Sequence, residues 1–303
     1  MENAIPIVDF SGMLGDSIER RKAVAREVDR CAREVGFMYL KNFGIAPETF
    51  EALRDTAHRF FSANQDLKER YLFDQRLNFG YHAIGKEGLD PSKPKDQKES
   101  FTMRDVSSIV RHADLWPSLL FRQVTADFYH DCRRLAERLM SAFAMALDLP
   151  EDFFTDKHSG RTQTLRLLHY PPSETHEEGQ LGAGAHTDYG TLTLLYQDNT
   201  GGLEVMSQTG EWLPAPPLPG TIVINTGDLL ARWTNDVYRS TAHRVQVRPS
   251  AAKSGRLSIA FFSDPDPDVV IDPLPSCISE DNPSRYAAIT AEEHINAKIA
   301  ATN

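Results

Sequence analysis

The chain has 303 residues, an ordinary globular composition and a formal charge of −10, enough length to bury a substantial core. The acidic balance argues against a phosphate-tracking surface, because nucleic-acid affinity comes from clustered Lys and Arg, so no nucleic-acid partner is expected. Cys31, Cys132 and Cys277 are too few and too scattered for a disulfide framework and read as reduced thiols. No uncharged apolar run could span a bilayer, and the first residues lack a basic segment followed by an apolar one, so a cytoplasmic protein with no membrane partner is the expectation.

Ile5 to Phe10 alternates like a short strand, and Ser17 to Val35 fits a helix with Val24, Val28, Cys31 and Val35 on one face. Phe37 to Leu40 reads as a buried strand. Pro47 suits a first helical turn, and Phe50, Leu53, Ala57 and Phe61 continue that helix's apolar stripe. From Arg76 to Lys98, Gly80, Gly85, Gly88, Pro91 and Pro94 predict a long loop, with the stretch from Asn78 to Gly88 suited to a lid. A long helix follows from Phe121 to Leu147. After Pro150 the pattern becomes short and β-rich, with strands expected at Thr164–Tyr170, Thr191–Tyr196, Leu203–Met206, Thr221–Asn225, His243–Val247 and Leu257–Phe262.

Many short strands with evenly placed turns predict an α+β fold with a double-stranded β-helix (jelly-roll) core, buttressed by N-terminal and C-terminal helices. The expected organisation is one domain over 1–303. Residues 1–150 form a mainly helical N-terminal region, 160–265 the jelly-roll core carrying a metal site, and 266–303 a C-terminal extension with a helix.

His186 and Asp188 stand two positions apart at the mouth of a predicted strand, so both side chains leave one face. His243, in another predicted strand, can add a second imidazole. One histidine in a strand is ordinarily a satisfied polar group. Two His and one carboxylate around an octahedral ion, however, leave three positions open, the arrangement that non-haem iron(II) oxygenases use. Arg256 and Ser258, again two apart, offer a guanidinium fork and a hydroxyl on one face, suited to the distal carboxylate of 2-oxoglutarate.

These residues resemble the isopenicillin N synthase-like branch of the iron(II)/2-oxoglutarate dioxygenases. IPIVDFS, GFMYLKNFGI, KESF, LRLLHYPP, HTDYGTLTLL, GGLEV, VINTGDLLARWTND and STAHRV carry the likeness over nearly the whole chain. The resemblance implies Fe(II), 2-oxoglutarate and O₂, with His186, Asp188 and His243 as metal ligands and catalytic centre. It implies Arg256, Ser258 and Tyr170 as the hold on the oxo acid. Leu168 stands where plant members carry Asn, so that position's contact is not expected here. An intact Asp188 implies hydroxylation, desaturation or ring closure rather than halogenation.

LRLLHYP, HTDYG and GDLLARWTND are most similar to fungal and bacterial members of the thymine 7-hydroxylase type. That likeness implies a small aromatic or heterocyclic substrate touched by Asn78, Arg166, Tyr189 and Phe262, the polar pair reading ring edges and the aromatic pair sandwiching a flat ring. Two alternatives stay open at this stage: an oxidase of the same fold that needs no oxo acid, and a catalytically silent binding protein.

Overall fold

The computed structural model describes residues 5–86, 97–172, 182–246 and 255–302. β1 (Ile7–Asp9) ends early because the Asp9 side chain accepts the Ser11 amide and turns the chain into a 3₁₀ helix at Phe10–Leu14. The expected strand through Phe10 is therefore shortened. Ser17 caps α1 (Ile18–Glu34) by accepting the Arg20 amide. Gly36 then breaks the helix at φ +73°, where an added Cβ would come within 2.6 Å of the Arg239 carbonyl oxygen.

The chain continues through β2 (Phe37–Lys41), α2 (Pro47–Phe61) and α3 (Gln65–Glu69). It then forms β3 (Phe79–His82), β4 (Glu99–Arg104), α4 (Val106–Ile109) and α5 (Leu119–Ala146). β3 corrects the reading of 76–98 as loop throughout, and with it the lid expected from Asn78. Phe79 to His82 pair antiparallel with Met103 to Ser100, and Gly80, at φ +123°, lets this strand pass close to the Tyr71 and Leu72 carbonyls. Glycine in the sequence signals a breaker, but here it permits a close backbone approach within a sheet. Gly88, Pro91 and Pro94, and Val247 of another expected strand, lie outside the described residues.

The β-rich half supplies β5 (Thr164–Tyr170), β6 (Ala183–His186), β7 (Leu192–Gln197), β8 (Leu203–Met206), β9 (Trp212–Pro214) and β10 (Thr221–Thr226). After α6 (Asp228–Trp233) come β11 (His243–Val245), β12 (Arg256–Ser263) and a final helix, α7 (Ala291–Thr302). Two antiparallel-rich sheets face each other, the major one in order β1-β2-β10-β7-β12-β5-β4-β3 and the minor one β6-β11-β8-β9. The N-terminal region thus does more than buttress the core, because it contributes two strands to each edge of the major sheet.

One face of the major sheet is covered by α1, α2 and α5, whose inward residues Val28, Leu53, Phe128, Leu135 and Phe143 are buried with Phe101, Leu165, Leu167, Leu194 and Phe261 of the strands. A second apolar cluster, including Phe37, Tyr39, Tyr170, Leu203, Val205 and Val245, joins the two sheets. The space left between the sheets beside this cluster is the cavity described next.

Candidate active site

β6 and β11 are antiparallel neighbours with His243 directly opposite His186. Their rings lie 4.3 Å apart between centroids. Asp188 follows two residues after His186, and its Oδ1 stands 3.8 Å from His186 Nε2 and 3.7 Å from His243 Nε2. All three ligand-capable atoms lie within 4.8 Å of one another.

The surroundings decide which atoms face that centre. His186 Nδ1 donates to the Gly184 carbonyl at 2.7 Å and His243 Nδ1 to the Thr241 carbonyl at 3.2 Å, so each Nε2 carries the lone pair. Asp188 Oδ2 accepts from Thr193 Oγ1 at 2.6 Å and from Asn225 Nδ2 at 2.7 Å, which turns Oδ1 toward the imidazoles. Burial, then the neighbouring His243, lowers the pKa of His186 to about 4, keeping the ring in the neutral form a metal requires. Burial raises the Asp188 pKa, but the two histidines and the two donors outweigh it and leave the carboxyl below its usual range.

A cavity of about 350 Å³ opens beside this triad. β12, β5 and β4 lie side by side along it, and each sends alternate residues inward. β12 presents Arg256, Ser258, Ala260 and Phe262, with Asp264 continuing the row, while β5 presents Thr164, Arg166, Leu168 and Tyr170. At one end Arg256 is paired with Tyr170, its guanidinium 4.9 Å from the ring centroid. Arg256 Nε donates to the Gly201 carbonyl at 2.8 Å and Nη1 to Ser258 Oγ at 2.9 Å. Its Nη2 is buried and, among the described residues, has no hydrogen-bond partner. A buried cationic N–H is costly to leave unmade, so this end is built for a carboxylate that completes the fork. The donor set at the triad suits a ferrous ion, and the residues present therefore fit both groups that the sequence implies.

At the other end, Phe262 is in register with Thr164, and Thr164 with Arg104. Arg166 is held by Thr102 Oγ1 at 3.1 Å and Ser100 Oγ at 2.9 Å. Asn78, at φ +49°, accepts the Arg104 amide on its own carbonyl. Tyr189 sits in the loop that carries Asp188, and Ile295 and Ile299 of α7 complete the lining. Every residue the sequence singled out for metal, oxo acid or substrate thus borders one cavity.

The sequence reading passed over Thr193 and Asn225, which hold Asp188, and Lys98, Arg104 and Asp264, which border the cavity. Period two along β4 and β12 was the available signal for the last two. Glu99, on the opposite face of β4, is buried beneath the site, accepting from His169 Nδ1, Lys68 Nζ and Tyr81 Oη at 2.8, 2.7 and 2.6 Å. Asp228 ties α7 to the metal loop, accepting from Lys298 Nζ at 2.8 Å and from Thr187 Oγ1 at 3.0 Å.

Comparison with known proteins agrees with this geometry. Residues 161–265 match the profile of the 2OG-Fe(II) oxygenase superfamily, and residues 5–119 that of the non-haem dioxygenase in morphine synthesis N-terminal. A 2-oxoglutarate-Fe(II) type oxidoreductase of Emericella nidulans is 32% identical over 96% of this chain and 88% of its own. The structure of the full-length Neurospora crassa thymine 7-hydroxylase in complex with alpha-KG and thymine superposes with a TM-score of 0.86 at 32% identity, covering 99% of this chain and 97% of that one. A 2OG-Fe(II) oxygenase family protein from Caulobacter crescentus gives 0.87 at 32% identity, covering 99% and 100%.

Proposed function

The chain belongs to the 2OG-Fe(II) oxygenase superfamily and is an Fe(II)- and 2-oxoglutarate-dependent oxidoreductase; on that premise we propose that His186, Asp188 and His243 hold the iron, that Arg256, Ser258 and Tyr170 hold the oxo acid, and that the substrate is a small planar heterocycle touched by Asn78, Arg166, Tyr189 and Phe262. The observation that carries the assignment is the pairing of three converging ligand atoms with a buried, unsatisfied guanidinium N–H at one end of the same cavity.

Bound Fe(II), with 2-oxoglutarate and O₂, supplies the oxidation of a substrate C–H bond, leaving succinate and CO₂. The protein's share is positioning and exclusion of water. His186, Asp188 and His243 would hold the ion and leave positions on it for the oxo acid and O₂. Thr193 and Asn225 keep the second Asp188 oxygen engaged, which fixes the first. Arg256 sets where the oxo acid ends, and because it is anchored at Gly201 and Ser258 its fork is pre-organised. Phe262 and Tyr189 offer ring faces, and Arg166 and Asn78 offer donors to ring carbonyls. A cavity of about 350 Å³ shared by co-substrate and substrate favours small substrates. The thymine bound by the Neurospora protein is a small planar heterocycle of this kind.

The test is a screen of small heterocycles, pyrimidine bases included, for stimulated succinate formation and release of CO₂ from labelled 2-oxoglutarate. Stimulation by flat N-heterocycles supports the reading. Turnover without CO₂ release would mark a same-fold oxidase instead, and stimulation by flexible aliphatic compounds alone would remove the sandwich role of Tyr189 and Phe262.

A further inference from the structure

The alternating row on β12 does not stop at the substrate's aromatic wall. Arg256, Ser258, Ala260 and Phe262 are followed on the same face by Asp264, which also borders the cavity. The row therefore carries a cation at the co-substrate end and an anion at the opposite end.

The Asp264 carboxylate lies against the backbone of the metal loop. A Cβ built on Gly190 would come to 1.6 Å from Asp264 Oδ1, so residue 190 has to be glycine for the carboxylate to sit there. The Thr191 backbone N–H lies near enough to favour its charged form. Asp264 is half-buried, and among the described residues no side chain donates to its oxygens, which leaves their acceptor capacity open to the cavity. Burial raises its pKa to about 6; Arg104 opposes that and the charge of Asp188 reinforces it. The other charged side chains at this part of the wall, Arg104 and Arg166, are donors. Asp264 is thus the anionic acceptor among donors.

We propose that Asp264 is a specificity-determining residue whose carboxylate accepts N–H donors of the substrate. This rests on the reading that substrate occupies the end of the cavity beside Phe262 and Tyr189, and it narrows the substrate class to molecules presenting N–H groups there. Those donors can be the neutral N–H of a ring imide or lactam, or the N–H groups of a guanidinium; both satisfy the same oxygens.

The experiment uses the full chain loaded with Mn(II) and 2-oxoglutarate without oxygen, and reads binding by calorimetry. The probes are thymine, 1,3-dimethylthymine, which has the same ring without N–H, and L-homoarginine as the guanidinium. Thymine or L-homoarginine is expected to bind wild type, and 1,3-dimethylthymine to bind at least about tenfold more weakly than thymine where thymine binds, the scale of a lost charge-assisted hydrogen bond. Asp264→Asn keeps the shape and an oxygen for the Thr191 N–H, and should weaken the bound N–H probe by a similar factor while the affinity for 2-oxoglutarate and the melting temperature stay unchanged. Asp264→Ala, which cannot overcrowd the site, should weaken it at least as much.

Equal binding of thymine and 1,3-dimethylthymine overturns the role of Asp264 while leaving the heterocycle reading intact. L-homoarginine bound and thymine ignored, with loss in Asp264→Asn, upholds Asp264 and removes the flat-ring reading. Unchanged probe affinity in both Asp264 variants, or no binding of either N–H probe to wild type, overturns the proposal.

Discussion

Replacing Arg256 by Lys keeps the positive charge and removes the fork, so it isolates what the geometry contributes. In the native site Nε is committed to Gly201 and Nη1 to Ser258, at 2.8 and 2.9 Å, and among the described residues the buried Nη2 has no partner, which leaves it for the proposed contact with the oxo acid. A lysine ammonium has one position for its three donors and cannot both hold the Gly201 carbonyl and reach outward in the same direction. The variant should therefore lose about one charge-assisted hydrogen bond to the co-substrate, roughly 1.5–3 kcal/mol. At about 1.4 kcal/mol per decade this is about a 10- to 150-fold rise in the 2-oxoglutarate requirement. The assay is a titration of 2-oxoglutarate at saturating substrate, following succinate, beside calorimetric binding to the oxygen-free Mn(II) protein. The maximal rate should fall much less than the affinity, because the proposed contact is with the far end of the co-substrate. A requirement within about twofold of wild type would show that Arg256 merely braces the Gly201 turn, and the assignment of that end of the cavity would fail.

Asp188→Ala should abolish iron retention and succinate formation, and turnover by this variant would remove it from the ligand set. Asn225→Ala should weaken iron binding by about 10- to 100-fold, as loss of a ligand's supporting hydrogen bond does; titration of the metal-free protein with Fe(II) under nitrogen measures it. Burial holds His158 near a pKa of about 4, with Nδ1 donating to the Phe154 carbonyl and Nε2 accepting from Thr191. The folded value lies below the unfolded one, so the unfolded chain takes up the proton first. This group's contribution, about 3 kcal/mol at most, is present above pH 6.5 and lost as pH falls toward 4. His158→Asn should flatten denaturant-measured stability across that window, and an unaltered slope would show that the ring is already charged when folded. Lys298→Met breaks the tie from α7 to Asp228 and should raise the substrate requirement severalfold while leaving that for 2-oxoglutarate alone; equal changes in both would mean that α7 does not cover the substrate end.

The parts of the site that alternate along single strands could be read from the sequence, because a strand converts spacing of two into a shared face. Arg256 with Ser258 and Phe262, all on β12, belong to that class, whereas Asp188 lies in the loop just past His186, the last residue of β6. The same rule extended two residues further reaches Asp264, but a carboxylate followed by Pro265 looks like the start of a turn. Thr193 and Asn225 were hidden for a different reason. They come from β7 and β10, and only the pairing of Asn225 with Thr193 across those strands brings both to Asp188. The β3 strand was hidden by Gly80, whose role is close approach to Tyr71 and Leu72 rather than a break. No local pattern encodes a partner that lies far away in sequence.

The division of the site between two sheets has a consequence for how it works. Both imidazoles stand on the minor sheet, on β6 and β11, while Arg256, Arg166 and Phe262 stand on β12 and β5 of the major one. Asp188 belongs by sequence to the metal loop, yet its Oδ2 is fastened to β7 and β10 of the major sheet through Thr193 and Asn225. The carboxylate therefore ties the metal loop, beside the imidazole pair, to the major sheet. Packing between the sheets, through Phe37, Tyr170, Leu203, Val205 and Val245, sets the remaining distance, with Phe37 edge-on to His243 at 5.3 Å. Interiors packed at native density resist small displacements. Val205 lies in this packing without bordering the cavity, so a cavity-forming change there should disturb the ratio of succinate to oxidised product before it disturbs binding.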